Sequence, residues 1–137
     1  MTMCTIEDYE RLELDEESRQ LVKNVLEEWH RVYLPDGPGM VIDVGAGCGE
    51  TVLFYLLHTQ GRVVAFEQDP AKLALLERNF AGNSRVLIVP GRVGCVKMDI
   101  EGGEKGSMIA LHGGLRFVEK NAGSGSWEHE YKVEGQL

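Results

Sequence analysis

Between positions 21 and 33 the apolar residues Leu21, Val22, Val25, Leu26, Trp29, Val32 and Tyr33 recur in steps of three and four. That spacing predicts a helix burying one face. Glu16, Glu17, Arg19, Lys23, Glu27 and Glu28 fall mostly on the other, solvated face. Thr5 and Asp15 are candidate N-caps, because each side-chain oxygen can accept from the free amides of a first turn. The first thirty-odd residues therefore read as helical, and Pro35, Gly37 and Pro38 close this stretch in a turn. Beyond the turn the period changes. Residues 40–44 form an apolar run broken only by Asp43, the pattern of a central parallel strand buried on both faces. Residues 51–58 predict a helix that Gly61 stops, and 62–67 a second strand. Asp69 and Pro70 read as an N-cap and a first-turn proline, opening a helix that runs through Asn79. A third strand is expected at 85–89 and a fourth at 95–100. Residues 107–120 read as a helix interrupted by Gly113 and Gly114, followed by a small polar loop at 121–126. Trp127, His129, Tyr131 and Val133 alternate with Glu128, Glu130 and Lys132, which predicts a half-exposed strand at a sheet edge.

Strands alternating with helices imply an α/β fold with an open, mostly parallel sheet. Right-handed crossovers leave few topologies. The expected sheet has about five strands in the order 3-2-1-4-5, with a crevice where the order reverses between strands 1 and 4. With roughly 150 residues per domain, the 137 residues are expected to form a single domain, 1–137, on which the helical segment 1–36 packs.

Charge narrows the partners. The net charge is −8, and the first thirty residues carry nine acids against Arg11, Arg19 and Lys23. Nucleic acid is disfavoured as a partner, because each neutralised phosphate needs a basic side chain and no basic stripe is present. No apolar run approaches the roughly 18 residues of a membrane span, so no membrane partner is expected. The N-terminus lacks the basic start and apolar core of a signal peptide. Three cysteines, Cys4, Cys48 and Cys95, have no zinc-knuckle spacing. A cytoplasmic setting is the expectation.

The candidate chemistry lies in the stretch Val41-Ile-Asp-Val-Gly-Ala-Gly-Cys-Gly-Glu-Thr51. Gly45, Gly47 and Gly49 follow a strand and open a helix, where glycine lets the backbone turn sharply and a ligand approach the main chain. The dinucleotide pattern G-x-G-x-x-G needs a glycine at position 50, which is Glu50. A glutamate there would repel a pyrophosphate at the helix N-terminus. Asp43 adds a second carboxylate beside the loop. The pair suits a ligand carrying an amine and a sulfonium better than an anionic dinucleotide. Glu67 ends the second strand, twenty-two residues after Gly45. A carboxylate at that position can accept from both hydroxyls of a ribose, and Gln68 is placed to line an adenine edge.

These motifs resemble a known family. The D-V-G-A-G-C-G-E-T loop and A-F-E-Q-D-P turn look like the cofactor half of a class I S-adenosylmethionine-dependent methyltransferase. V-K-M-D-I-E-G-G-E at 96–104 resembles the K-I-D-V-E-G-A-E signature of the FkbM-type methyltransferases. The resemblance runs from Gly39 to Gly114, about 75 residues. It implies a Rossmann-like fold and S-adenosyl-L-methionine as cofactor. Asp43, Gly45, Ala46, Gly47 and Gly49 would lie near the methionine part and Glu67 on the ribose. It also implies methyl transfer to an oxygen of a small-molecule acceptor. Only about nine residues separate Pro90 from Asp99, where the family has a much longer connection. The segment Pro90-Gly-Arg-Val-Gly94 likewise has no clear counterpart of the family's adenine contact.

Asp99 and Glu101 straddle the end of the expected fourth strand, and alternation puts both on one face. They are the candidate catalytic pair, one orienting or deprotonating an acceptor hydroxyl and the other holding the turn at Gly102 and Gly103. Bracing of a strand end accounts for them equally well. No metal is expected, since two carboxylates make too few ligands. His112 is a weaker candidate base. Cys48, at a helix N-terminus, either carries a lowered thiol pKa or simply fills a slot for a small residue. The expected function is S-adenosylmethionine-dependent O-methyl transfer. The alternative is a non-catalytic binding or regulatory module that has lost the acceptor half, and a homo-oligomer or partner chain completing the acceptor site is left open. A nicotinamide oxidoreductase is disfavoured by Glu50.

Overall fold

A computed structural model describes residues 3–34 and 39–94, together with the backbone of three later strands. The chain opens with a short 3-10 turn, Ile6–Arg11, in which the Asp8 carboxylate accepts from the Thr5 amide at 2.7 Å. Thr5 is thus an N-cap as expected, with Asp8 completing a capping box, but of a 3-10 helix rather than an α-helix. Asp15 caps α1 (Glu16–Val32) as expected, accepting from the Ser18 amide at 2.8 Å. The apolar stripe of α1 buries Val22 and Trp29, with Leu21, Val25 and Leu26 partly covered.

Next come β1 (Val41–Val44), α2 (Glu50–His58), β2 (Val63–Glu67), α3 (Pro70–Asn79) and β3 (Val86–Pro90). These elements are two successive βαβ units, and β1, β2 and β3 form a small open parallel sheet with β2 between the other two. Val41 pairs with Val63, and Val63 with Val86. On one face Val41, Asp43, Val63, Ala65 and Glu67 are buried, while Ile42, Val44, Val64 and Phe66 of the opposite face are half-buried. The core is completed by Val52, Phe54 and Tyr55 of α2 and by Leu76 and Phe80 at the end of α3. Trp29 of α1 meets Phe54 edge-on, with ring centroids 6.1 Å apart, and Tyr9 at 6.2 Å.

Several sequence expectations change here. Gly61 does not stop α2, which ends at His58 with Thr59 as an extended C-cap. Gly61 serves a close approach instead, because a Cβ on it would lie 1.8 Å from the Gly39 carbonyl oxygen. The end of α2 is held by Arg85, which donates to the carbonyls of Leu56, Thr59 and Gly61 at 3.0, 2.7 and 3.1 Å.

The second change is larger. The helix expected at 107–120 is replaced by β4 (Ile109–Leu111) and β5 (Arg116–Lys120). β4 lies parallel to β1, pairing Ile42 with Ile109 and Val44 with Leu111, so the four-stranded order is β3-β2-β1-β4. β5 pairs antiparallel with β6 (Glu128–Lys132) in a separate two-stranded sheet. A strand was expected at 127–133, but as an edge strand of the main sheet. The physical reason for the lost helix is twofold. Gly113 and Gly114 each weaken a helix by about 1 kcal/mol relative to alanine, and the edge of β1 offers unpaired backbone groups to any short apolar segment. The segment 95–100 expected beside β1 lies outside the described residues, and 109–111 takes that edge. Among the described residues no helix is long and apolar enough to cross a membrane.

Candidate functional site

The site is the turn that joins β1 to α2. Gly45, Gly47 and Gly49 have φ of 80°, 62° and 103°, all left-handed. Gly49 admits no other residue, because a Cβ there would sit 2.1 Å from Cε2 of Phe80 and 3.1 Å from Cδ1 of Leu76. The amides of Gly45 and Ala46 both donate to the Phe66 carbonyl, at 2.8 and 2.9 Å, so the turn is tied to the end of β2. Gly47 donates to Oε1 of Glu67 at 2.7 Å, Cys48 to Oε2 of Glu50 at 3.0 Å, and Gly49 to the Ala46 carbonyl at 3.0 Å. Every amide from Gly45 to Gly49 therefore has an internal acceptor. A phosphate cradle needs amides pointing outward, and this loop has committed its own.

Three buried carboxylates surround the turn. Asp43 is fully buried, and its Oδ2 accepts from the hydroxyl of Thr51, in the first turn of α2. Burial pushes its carboxyl up to about 7, the nearby Glu67 charge adds to the rise, and the Thr51 bond opposes it. Glu67 is 6% exposed and spans two turns: Oε1 accepts from Gly47, and Oε2 from the Asp69 amide at 2.8 Å. Its carbonyl also accepts from Gly91 at 2.8 Å, just past β3. Glu50, also buried, folds back from the first turn of α2 over Gly47. Among the described residues no three histidine, cysteine or acidic side chains group as a metal site.

The sequence-predicted residues Asp43, Gly45, Ala46, Gly47, Gly49 and Glu67 are thus neighbours at the C-terminal end of the parallel sheet. Gln68 adjoins them in sequence, with its side chain exposed. Asp99, Glu101 and His112 lie outside the described residues. Cys48 is a packing residue: it is fully buried, and burial pushes its thiol up although Ser18 Oγ donates to its sulfur at 3.4 Å. Two supporting residues had no sequence signal. Asn79, at the end of α3, donates to the carbonyls of Cys48 at 2.7 Å and Glu13 at 2.9 Å, and accepts from the Glu13 amide at 2.7 Å. It joins the N-terminal arm to the glycine turn across sixty-six positions, which no local pattern records. Lys72 ties α3 to the start of α1, pairing with Asp15 at 2.6 Å. No protein-family model matches the chain, and no curated protein is similar to it.

Proposed function

We propose that this is an S-adenosylmethionine-binding protein acting as an O-methyltransferase on a small molecule, with the parallel sheet belonging to a doubly wound, Rossmann-like unit. The observation that carries the reading is the joint between the glycine turn and Glu67. A left-handed glycine turn at the end of β1 sits against a buried carboxylate at the end of β2. Each carboxylate oxygen of Glu67 takes one backbone amide. An ionised carboxylate has about four lone-pair sites, so capacity remains for two ribose hydroxyls.

The donor set fits the proposed cofactor. Phosphate finds no outward loop amides, and the buried acids favour hydroxyl and cationic groups over anions. Glu67 would hold the ribose, and Asp43 and the turn 45–49 would lie beside the methionine part. Bound there, the cofactor supplies an electrophilic methyl group. The chain's own contribution is positioning, with Glu67 and the glycine turn fixing the ligand against the sheet end. In this reading Asp99 and Glu101 serve the acceptor hydroxyl. The alternative is a binding module that holds the cofactor without transfer.

The test is calorimetry of the protein with adenosylhomocysteine, with NAD as the anionic comparison. Adenosylhomocysteine should bind and NAD should not. Loss of charged hydrogen bonds in Glu67→Ala should weaken binding roughly ten- to a hundredfold, at about 1.4 kcal/mol per tenfold. A folded wild type without affinity for adenosylhomocysteine would overturn the reading. Turnover against hydroxylated acceptors then separates the enzyme from the binding module.

A further inference from the structure

The N-terminal arm meets the α/β unit through rings. Tyr9 and Trp29 of the arm stack toward Phe54 of α2, and His30 of α1 lies edge-on to both Phe54, at 5.1 Å, and His58, at 4.9 Å. His58 also lies 4.6 Å from Phe54. Both ring nitrogens of His58 are shielded from solvent, and neither has a hydrogen-bond partner among the described residues. His30 has one, with Nε2 lying 3.0 Å from the Cys4 carbonyl. A neutral imidazole can lie against aromatic rings at modest cost. A protonated one there has two donors with no acceptor, which is expensive in a shielded site.

We propose that the contact between His58 on α2 and His30 on α1 is an acid-sensitive latch, and that protonation of His58 releases the N-terminal arm from α2. The charged and titratable groups acting on His58 come from each neighbouring element. His30 on α1 opposes a positive charge, and Asp8 in the 3-10 turn favours one. The Asp8 carboxylate is already engaged with the Thr5 amide. The Arg85 guanidinium, a cation at the end of α2, is engaged with the carbonyls of Leu56 and Thr59. Burial first, and then His30, lower the His58 pKa below its ordinary value of 6.5. The sign follows. A folded-state pKa below the unfolded one means the neutral latch stabilises the closed arm above that ordinary value, and this stability is lost as pH falls through it. Below it, opening should increase by up to about tenfold per pH unit until the folded-state value is reached.

The release also concerns the glycine turn, because the same arm is tied to that turn through Asn79 and Ser18. The experiment is an NMR titration of the histidine ring protons between pH 7.5 and 4.5. Amide exchange, corrected for intrinsic rates, is followed over the same range in wild type and His58→Phe. His58 should titrate with a midpoint below that of a free imidazole. Protection of α1 should fall over that range while β1 and β2 stay protected, and His58→Phe should keep α1 protected. A midpoint at or above the ordinary value would overturn the latch on the wild type alone. Equal pH dependence of α1 protection in the two proteins would overturn it as well.

Discussion

At the scale of single residues, glycines in this chain differ in what forbids a side chain. Gly49 and Gly82 both have positive φ, of 103° and 75°. A Cβ at Gly82 meets nothing within 4 Å, whereas one at Gly49 runs into the ring of Phe80. Gly82→Ala should therefore cost only backbone strain, about 1 kcal/mol. Gly49→Ala adds displacement of a buried aromatic and should cost roughly 3 kcal/mol or more. Urea unfolding of the two variants checks this, and equal losses would mean that Phe80 does not pin the turn. Glu67 is a second case at this scale. Its acidity and its place after a strand are visible in sequence. Its bond to Gly47 is not, because it depends on how β1 and β2 lie side by side.

Among the elements, α1 and α3 are joined at their N-terminal ends. Asp15 caps α1 and also binds Lys72 of α3 at 2.6 Å. Partial burial works to raise the Asp15 carboxyl, but the Lys72 bond and the Ser18 bonds outweigh it and hold the pKa at about 2, below its ordinary 3.8. Because the folded-state pKa is depressed, the stability it contributes is present above about pH 4 and lost as pH falls toward 2. Asp15→Asn keeps a capping oxygen but removes this titration. Wild type should therefore lose more stability than Asp15→Asn on going from pH 4.5 to 2.5, measured by denaturant midpoint. Parallel pH curves would count against the pair. The cap itself was legible, since an aspartate stood before an amphipathic run. Its lysine partner, fifty-seven positions away, was not.

For the whole molecule, the sheet order predicts which backbone opens last. β1 lies between β2 and β4, and β2 between β1 and β3. Among the described residues β3 has one strand neighbour, and its Leu87 is 58% exposed. Amides of β1 and β2 should exchange only on global unfolding, while those of β3 should exchange sooner through local opening. Slower exchange in β3 than in β1 would contradict the topology.

What the sequence by itself determined lies where the physics is local. The stripe from Leu21 to Tyr33, the cap at Asp15, the Asp69-Pro70 helix start and the strand–glycine–helix passage at 41–51 each rest on neighbours within one or two turns. The structure has all four where the pattern puts them. Tertiary structure decided the rest. Gly61 is a glycine because the chain at Gly39 passes over it, not because a helix ends there. The segment 107–120 contains strands because pairing along β1 and between β5 and β6 satisfies backbone groups that a helix broken by two glycines would hold poorly. Asn79 and Ser18 support the glycine turn, and Lys72 the start of α1, from positions far along the chain. Hydrogen bonds of that kind form only after the helices have docked, so their partners are set by packing and not by any spacing in the sequence.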